Sequence, residues 1–287
     1  MSGSKDYLGS YRLIRLIRGG QICNVWDAIR DGEDERVALK VLLAVHRKKK
    51  DEIEQLRNEG RVGSEMEHPN VIRIFEFVDS YELPFLVMQL FNARNLKQAI
   101  REKPDFVAIN IPQIVKQCAE GLQHMHQRGW VHCDVKPDNF LVNEQGNVKV
   151  IDFSIAQPLK KKRGLFSRKA VQGTRSYMAP EQIRGKTLDQ RTDIYGFGCV
   201  AFEVLAGRPP FSGHSPDELL QKHLTHTPPL VTTVNKSVTE EYAMLINRLL
   251  AKEPDQRPAT FHDFLQEFSR VRVFRAGKQP TLGNEIV

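Results

Sequence analysis

Apolar and polar positions alternate along the first third of the chain and then change period. Tyr11 to Ile17, Val25 to Ile29 and Val37 to Leu43 are β-rich runs separated by turn residues, which predicts an antiparallel meander. The charged stretch Asp51 to Glu67 predicts a helix that stops before His68-Pro69-Asn70. Two more strands are expected over Val71 to Val78 and Pro84 to Leu90. Beyond Leu96 the spacing becomes helical. It is clearest from Ile111 to Arg128, where Ile114, Val115, Cys118, Leu122 and Met125 supply the apolar positions. Further helices are expected after Asp193. A strand-rich first third with one helix, followed by a larger helical part, predicts an α+β protein of two lobes with a cleft between them. The divisions expected are a flexible leader over 1–10, a small lobe over 11–91, a larger lobe over 92–270 and a flexible tail over 271–287.

Composition narrows the function classes only a little. The 287 residues carry a formal net charge of +7, concentrated in runs such as Arg47 to Lys50 and Lys160 to Arg163. No interleaved aromatics or recognisable binding module accompany these runs, so no specific nucleic-acid partner is expected. Cys23, Cys118, Cys133 and Cys199 lie far apart without a C-x-x-C pair, which argues against a zinc site or a disulfide framework and fits a reducing compartment. No early apolar stretch resembles a signal peptide. The most apolar run, Gly196 to Leu205, is too short for a membrane span and contains Glu203. The expectation is a soluble, cytoplasmic chain without a membrane span.

Candidate chemistry gathers in V-H-C-D-V-K-P-D-N-F-L, Val131 to Leu141. Asp134 can orient a substrate hydroxyl and accept its proton. Lys136 can neutralise a moving phosphoryl group, and the amide oxygen of Asn139 can hold a magnesium ion. A short apolar strand, Val148 to Ile151, then ends at Asp152-Phe153-Ser154. A carboxylate in that place suits Mg²⁺, which prefers hard oxygen donors and bridges phosphates.

Together these motifs resemble the eukaryotic-type serine/threonine protein kinase catalytic domain, over about Tyr11 to Arg270. The resemblance implies the bilobal kinase fold, ATP and Mg²⁺ as cofactors, and protein substrates with serine or threonine acceptors. It makes Asp134 the catalytic base, Lys136 an assistant at the phosphate, and Asn139 and Asp152 the metal ligands. Val37-Ala38-Leu39-Lys40 matches the motif whose lysine contacts the α- and β-phosphates, and Glu59 stands where the family places its partner. Val25, Ala38 and Leu141 would wall the adenine, Met88 would guard the pocket behind it, and backbone groups of Gln89 and Phe91 would pair with its edge. Gly173-Thr174-Arg175-Ser176-Tyr177-Met178-Ala179-Pro180-Glu181 resembles the substrate-docking segment. Asp193 matches the aspartate that braces the catalytic loop, and Arg257 the arginine that pairs with Glu181.

Four departures from the family pattern bear on regulation. In the glycine-rich phosphate loop, Arg18 to Val25, Gly20 keeps its glycine and Gly19 is an extra one, while Arg18 and Cys23 replace the first and third. Side chains there should weaken a cradle made of backbone N–H groups. Ser154 replaces the glycine of Asp-Phe-Gly, which is expected to change dynamics rather than chemistry. Cys133 replaces the arginine that gathers an activation-loop phosphate, and Ala170 stands where the phosphorylated residue usually is. Control by phosphorylation at that place is therefore not expected. Finally, Gly60 and Gly63 fall in the predicted helix. Gly63 replaces a bulky residue in a stack running from Ile74 to Phe153 and His132, so a gap, a mobile helix and a regulatory partner there are expected. The main expectation is an active kinase. The alternative is a pseudokinase scaffold that binds nucleotide and partners without efficient transfer; a small-molecule phosphotransferase fits less well with the docking segment.

Overall fold

The computed structural model describes residues 7–79, 83–159 and 173–283. Two compact units emerge: one holds the chain up to Asn92 together with Asp152–Ile155, the other Ala93–Ile151 and Ala156 onward.

The first unit is a six-stranded antiparallel sheet with one long helix. Its strands are β1 (Tyr7–Leu8), β2 (Tyr11–Arg18), β3 (Cys23–Arg30), β4 (Arg36–Leu42), β5 (Ile74–Val78) and β6 (Phe85–Gln89), in the order β1-β2-β3-β4-β6-β5. The predicted strands are present, and the expected leader contributes β1, which pairs with the start of β2. β5 starts later than predicted because Val71 closes the His68-Pro69-Asn70 turn through a bond to His68 O. Period-two alternation sorts β4 into two faces. Val37, Leu39 and Val41 pack with Tyr11, Ala28, Phe85 and Val87 in a buried cluster. Ala38 and Lys40 therefore point to the opposite face. Asp27, wholly buried, is paired there by Arg15 and Arg36.

Helix α1 (Lys50–Ser64) packs on β5 and carries Asp51 and Glu52 in its first turn, where carboxylates favour the positive end of the helix dipole. Its glycines correct the sequence reading. A Cβ on Gly63 would come 2.3 Å from Ile74 Cδ1, and one on Gly60 would come 2.8 Å from Phe77 Cβ. The space expected as a gap is thus filled by Ile74 from the neighbouring strand. The argument for a partner that orders the helix loses its basis.

The second unit is mainly helical. The short pair β7 (Arg94–Asn95) and helix α2 (Leu96–Glu102) lead into α3 (Pro104–Gln127), the helix predicted from periodicity but begun a full two turns earlier by Pro104 at its first position. β8 (Trp130–Val131), β9 (Phe140–Val142), β10 (Val148–Val150) and β11 (Gln157–Pro158) form small ladders around the chemistry-bearing loop. Helices α4 (Pro180–Ile183), α5 (Gln190–Ala206), α6 (Pro216–Thr225), α7 (Glu240–Leu249) and α8 (Phe261–Phe268) complete the unit.

The apolar run Gly196 to Leu205 lies in α5, which is buried on all sides from Thr192 to Ala206, capped by Asp189 and ended by Gly207 at φ +72°. Gly196 lets it approach the backbone of Val135. No helix among the described residues is long and apolar enough to cross a membrane. Residues 271–283, expected as a flexible tail, are packed: Val273 and Leu282 are buried, Phe274 bridges to Val238, and Gly283 N–H donates to Leu205 O. Their contacts are tertiary, so no local periodicity announces them.

Candidate active site

In the first unit the sheet aims Lys40 at two carboxylates. Val25 lies opposite Lys40, and Ala38 opposite Met88, so the expected adenine walls Val25 and Ala38 share the Lys40 face. Lys40 Nζ is 2.6 Å from Glu59 Oε2 and 3.4 Å from Asp152 Oδ1. Burial opposes the ammonium charge, but Asp152 and Glu59 outweigh it and hold the Lys40 pKa well above the ordinary lysine value. Burial pushes the Glu59 carboxyl up, against the pull of Lys40. Asp152 itself sits at φ +67°, a conformation that costs a non-glycine residue about 1–3 kcal/mol. It is followed by Phe153 and Ser154, whose carbonyl oxygens both accept from Asn58 Nδ2, at 3.2 and 3.1 Å. Asn58 adjoins Glu59 on α1, so one helical turn secures both the lysine and the Asp-Phe-Ser segment.

The phosphate loop is held by its own side chains. Asn24 Oδ1 accepts from Gly20 N–H at 3.2 Å, and a Cβ on Gly20 would fall 2.4 Å from Cys23 O, so glycine is required there by the tightness of the turn. Gly19 has open space around it apart from Asn24. Burial pushes the Cys23 thiol up to about 11, which leaves it protonated and a poor nucleophile at neutral pH. Gln89 ends β6 with its N–H committed to Arg73 O at 2.9 Å; Phe91 lies two residues beyond.

In the second unit the catalytic loop converges on Asp134. Its Oδ1 accepts from Thr174 N–H at 2.9 Å and from Thr174 Oγ1 at 3.0 Å. Its Oδ2 is 2.6 Å from Lys136 Nζ and accepts from Asn139 Nδ2 at 3.2 Å. Lys136 Nζ also donates to Thr174 Oγ1 at 2.8 Å. Because Asn139 Nδ2 is spent on Asp134, including its main-chain oxygen at 2.8 Å, the amide oxygen of Asn139 is turned to serve as acceptor or ligand. That orientation fits a hard cation. Leu141 lies in β9, half-buried, in the same loop-strand segment.

Asp193 braces this loop. Its carboxylate accepts from His132 N–H at 2.7 Å and Cys133 N–H at 2.9 Å, and meets His126 Nε2 at 2.8 Å. Cys133 is held at φ +67° by those bonds and by Gln182 Nε2, which donates to Cys133 O at 2.9 Å. The Cys133 side chain is buried, and burial pushes its thiol well above the ordinary value. Arg257 meets Glu181 in a two-pronged pair at 2.8 and 3.0 Å, with its other donors on the carbonyls of Arg191, Ala251 and Lys252.

A known domain matches the chain that carries these two constellations. The protein kinase domain model covers residues 11–268. The chain belongs to the protein kinase family. Relatives of this kinase domain include the serine/threonine-protein kinase PrkC of Bacillus subtilis, 33% identical over 259 residues, which are 90% of this chain and 40% of the relative. The serine/threonine-protein kinase PknA of Mycobacterium tuberculosis is 31% identical over 95% of this chain and 64% of the relative. The PknB enzyme of Mycolicibacterium smegmatis is 31% identical over 85% of this chain and 40% of its own length. The chain thus spans about two fifths of several curated relatives. The family resemblance read from the sequence is borne out, as is the kinase fold.

Sequence reasoning did not find Asn58, Gln182, His126, Asn24 or His46 as parts of the kinase domain's framework. All act through bonds to backbone atoms or to residues remote in sequence, and a single chain carries no signal for such pairs. Lys160 to Arg163 and Ala170 lie outside the described residues.

Proposed function

We propose that this kinase domain transfers the γ-phosphate of ATP to serine or threonine hydroxyls of protein substrates, with Asp134 as base. The observation that carries the reading is the Thr174 hydroxyl, which donates to Asp134 and accepts from Lys136. An alcohol between that carboxylate and that ammonium is arranged as a substrate alcohol needs to be: its proton faces the base, and its oxygen lies beside a cation that can neutralise the phosphoryl group. Lys40, held by Glu59, would contact the α- and β-phosphates. Asp152, beside Lys40 in the first unit, and Asn139, beside Asp134 in the second, each present an oxygen that would suit Mg²⁺, which supplies charge neutralisation when bound. In the first unit Val25 and Ala38 share the Lys40 face and would flank the adenine, with the main chain at Gln89 and Phe91 toward its edge; the resemblance gives Leu141 of the second unit the same role.

Radiolabel transfer from ATP to a generic basic protein tests this, comparing the wild type with Asp134→Asn and Asp152→Asn. Loss of label in both variants supports the assignment; equal incorporation in all three removes it.

We also infer that phosphorylation at the usual activation-loop site does not control the domain, because Ala170 stands there and the buried, neutral Cys133 offers nothing to gather a phosphate. Complete dephosphorylation should leave the rate unchanged, and a large loss would refute the idea. The pseudokinase reading draws its support from the phosphate loop, where Asn24 already occupies the Gly20 N–H. Wild-type protein that binds nucleotide yet transfers no label would favour it.

A further inference from the structure

The phosphate loop has lost two of its glycines, yet its tip is tied down from outside. Ile22 O accepts from Leu43 N–H at 2.9 Å, and Gln21 O lies 2.9 Å from His46 Nε2. Both partners belong to the short segment between β4 and α1, where Ala44–His46 form one turn of 3₁₀ helix. The other ring nitrogen, His46 Nδ1, is buried without a hydrogen bond of its own and faces Glu52 Oε1 at 3.4 Å. Glu52 is in the first turn of α1, and Glu59, the partner of Lys40, follows about two helical turns later on the same rod.

We infer that His46 is a positioning residue for nucleotide binding, fastening the tip of the phosphate loop to the start of helix α1. The inference rests on the kinase reading. Its chemistry is simple. Both nitrogens of His46 face oxygen acceptors, and a neutral imidazole has one N–H to give while the imidazolium has two. In the neutral ring, one lone pair is left pointing at an oxygen, either the Gln21 carbonyl or the Glu52 carboxylate. Lys49 Nζ lies 3.4 Å from the same Glu52 oxygen and shares that carboxylate. The loop side contributes the main-chain oxygens of Gln21, which meets the ring, and Ile22, which meets Leu43 N–H.

A loop already held near its working shape loses less freedom when nucleotide arrives, so the tie should act on affinity and not on the chemical step. His46 touches neither phosphate nor substrate hydroxyl in this scheme.

The test uses this chain, with two readouts at pH 6.5: KM and kcat for ATP with a generic basic protein, and the Kd of a fluorescent ATP analogue. His46→Ala should raise KM and the analogue's Kd about threefold to tenfold at pH 6.5, the worth of one hydrogen bond, with kcat unchanged. His46→Gln keeps an N–H donor, so its Kd should be intermediate between those of the wild type and His46→Ala. An unchanged Kd in His46→Ala, or a Kd in His46→Gln weaker than in His46→Ala, overturns the proposal. If the wild type transfers no phosphate, the kinase reading falls, while the analogue's Kd still decides the role of His46.

Discussion

The Thr174 hydroxyl braces the Asp134–Lys136 ion pair by bonding to both partners, so removing it tests how finely the Asp134 carboxylate is held. Thr174→Val keeps the N–H bond to Asp134 Oδ1 but deletes both hydroxyl contacts. A hydrogen bond to a charged group is worth about 1.5–3 kcal/mol, so kcat/KM should fall by about ten- to a hundredfold, read in the radiolabel assay. An unchanged kcat/KM would show that Asp134 is positioned without it. The sequence singled out Lys40, Glu59, Asp134, Asn139 and Asp152 through the chemistry of its loop motif and its family resemblance, and the structure brings Lys40 to Glu59 and Asp152, and Asn139 to Asp134. The strained φ at Cys133 and Asp152 was not, since nothing in a cysteine or an aspartate announces a left-handed backbone. Their positive φ is sustained by tertiary bonds, in the case of Cys133 those from Asp193 and Gln182.

Helix α1 shows how an element can carry an apparently poor residue for a packing reason. Glycine inside a helix costs about 0.5–1 kcal/mol relative to alanine. At Gly63 that cost is offset by close approach to Ile74, whose Cδ1 would lie 2.3 Å from any Cβ. Gly63→Leu should therefore destabilise the protein by about 1–3 kcal/mol through overpacking. Ile74→Ala alone should cost about 2–5 kcal/mol through the cavity it leaves. The double variant should be more stable than the sum of the two losses predicts, because leucine fills what alanine vacates; chemical denaturation of all four proteins measures the coupling. Strict additivity would mean that the two residues do not share one space. The helix was predictable from its charged, periodic sequence, but which neighbour filled the glycine notch was a property of the strand beside it.

Across the second unit, buried polar groups link distant segments. Arg257 and Glu181 are both buried and fully bonded, so Arg257→Ala leaves a carboxylate without its cation and should cost about 3–5 kcal/mol in denaturant titrations. His223 on α6 is buried among Tyr195 and Phe211, with its Nδ1 2.9 Å from Tyr195 Oη. Burial, with Lys252 nearby, pulls its pKa down from 6.5 to about 4. A depressed folded pKa means that the fold prefers the neutral ring, so this stability is complete above pH 6.5 and is lost as pH falls through about 4. The full loss corresponds to about 3 kcal/mol. Denaturation of the wild type and His223→Gln between pH 7 and pH 4 should show a shallower decline in the variant; parallel curves would remove the histidine from the account.

What the sequence determined by itself was the kinase family and the order of strands and helices, because periodicity and motif chemistry act through residue type and spacing. The tertiary structure alone decided that Ile74 fills the Gly63 notch, that 271–283 pack on the second unit, and that His46 and Asn24 hold the phosphate loop. Those outcomes depend on which remote side chains and carbonyls meet. Such meetings are set by the packing of whole elements and leave no mark in the local order of residues.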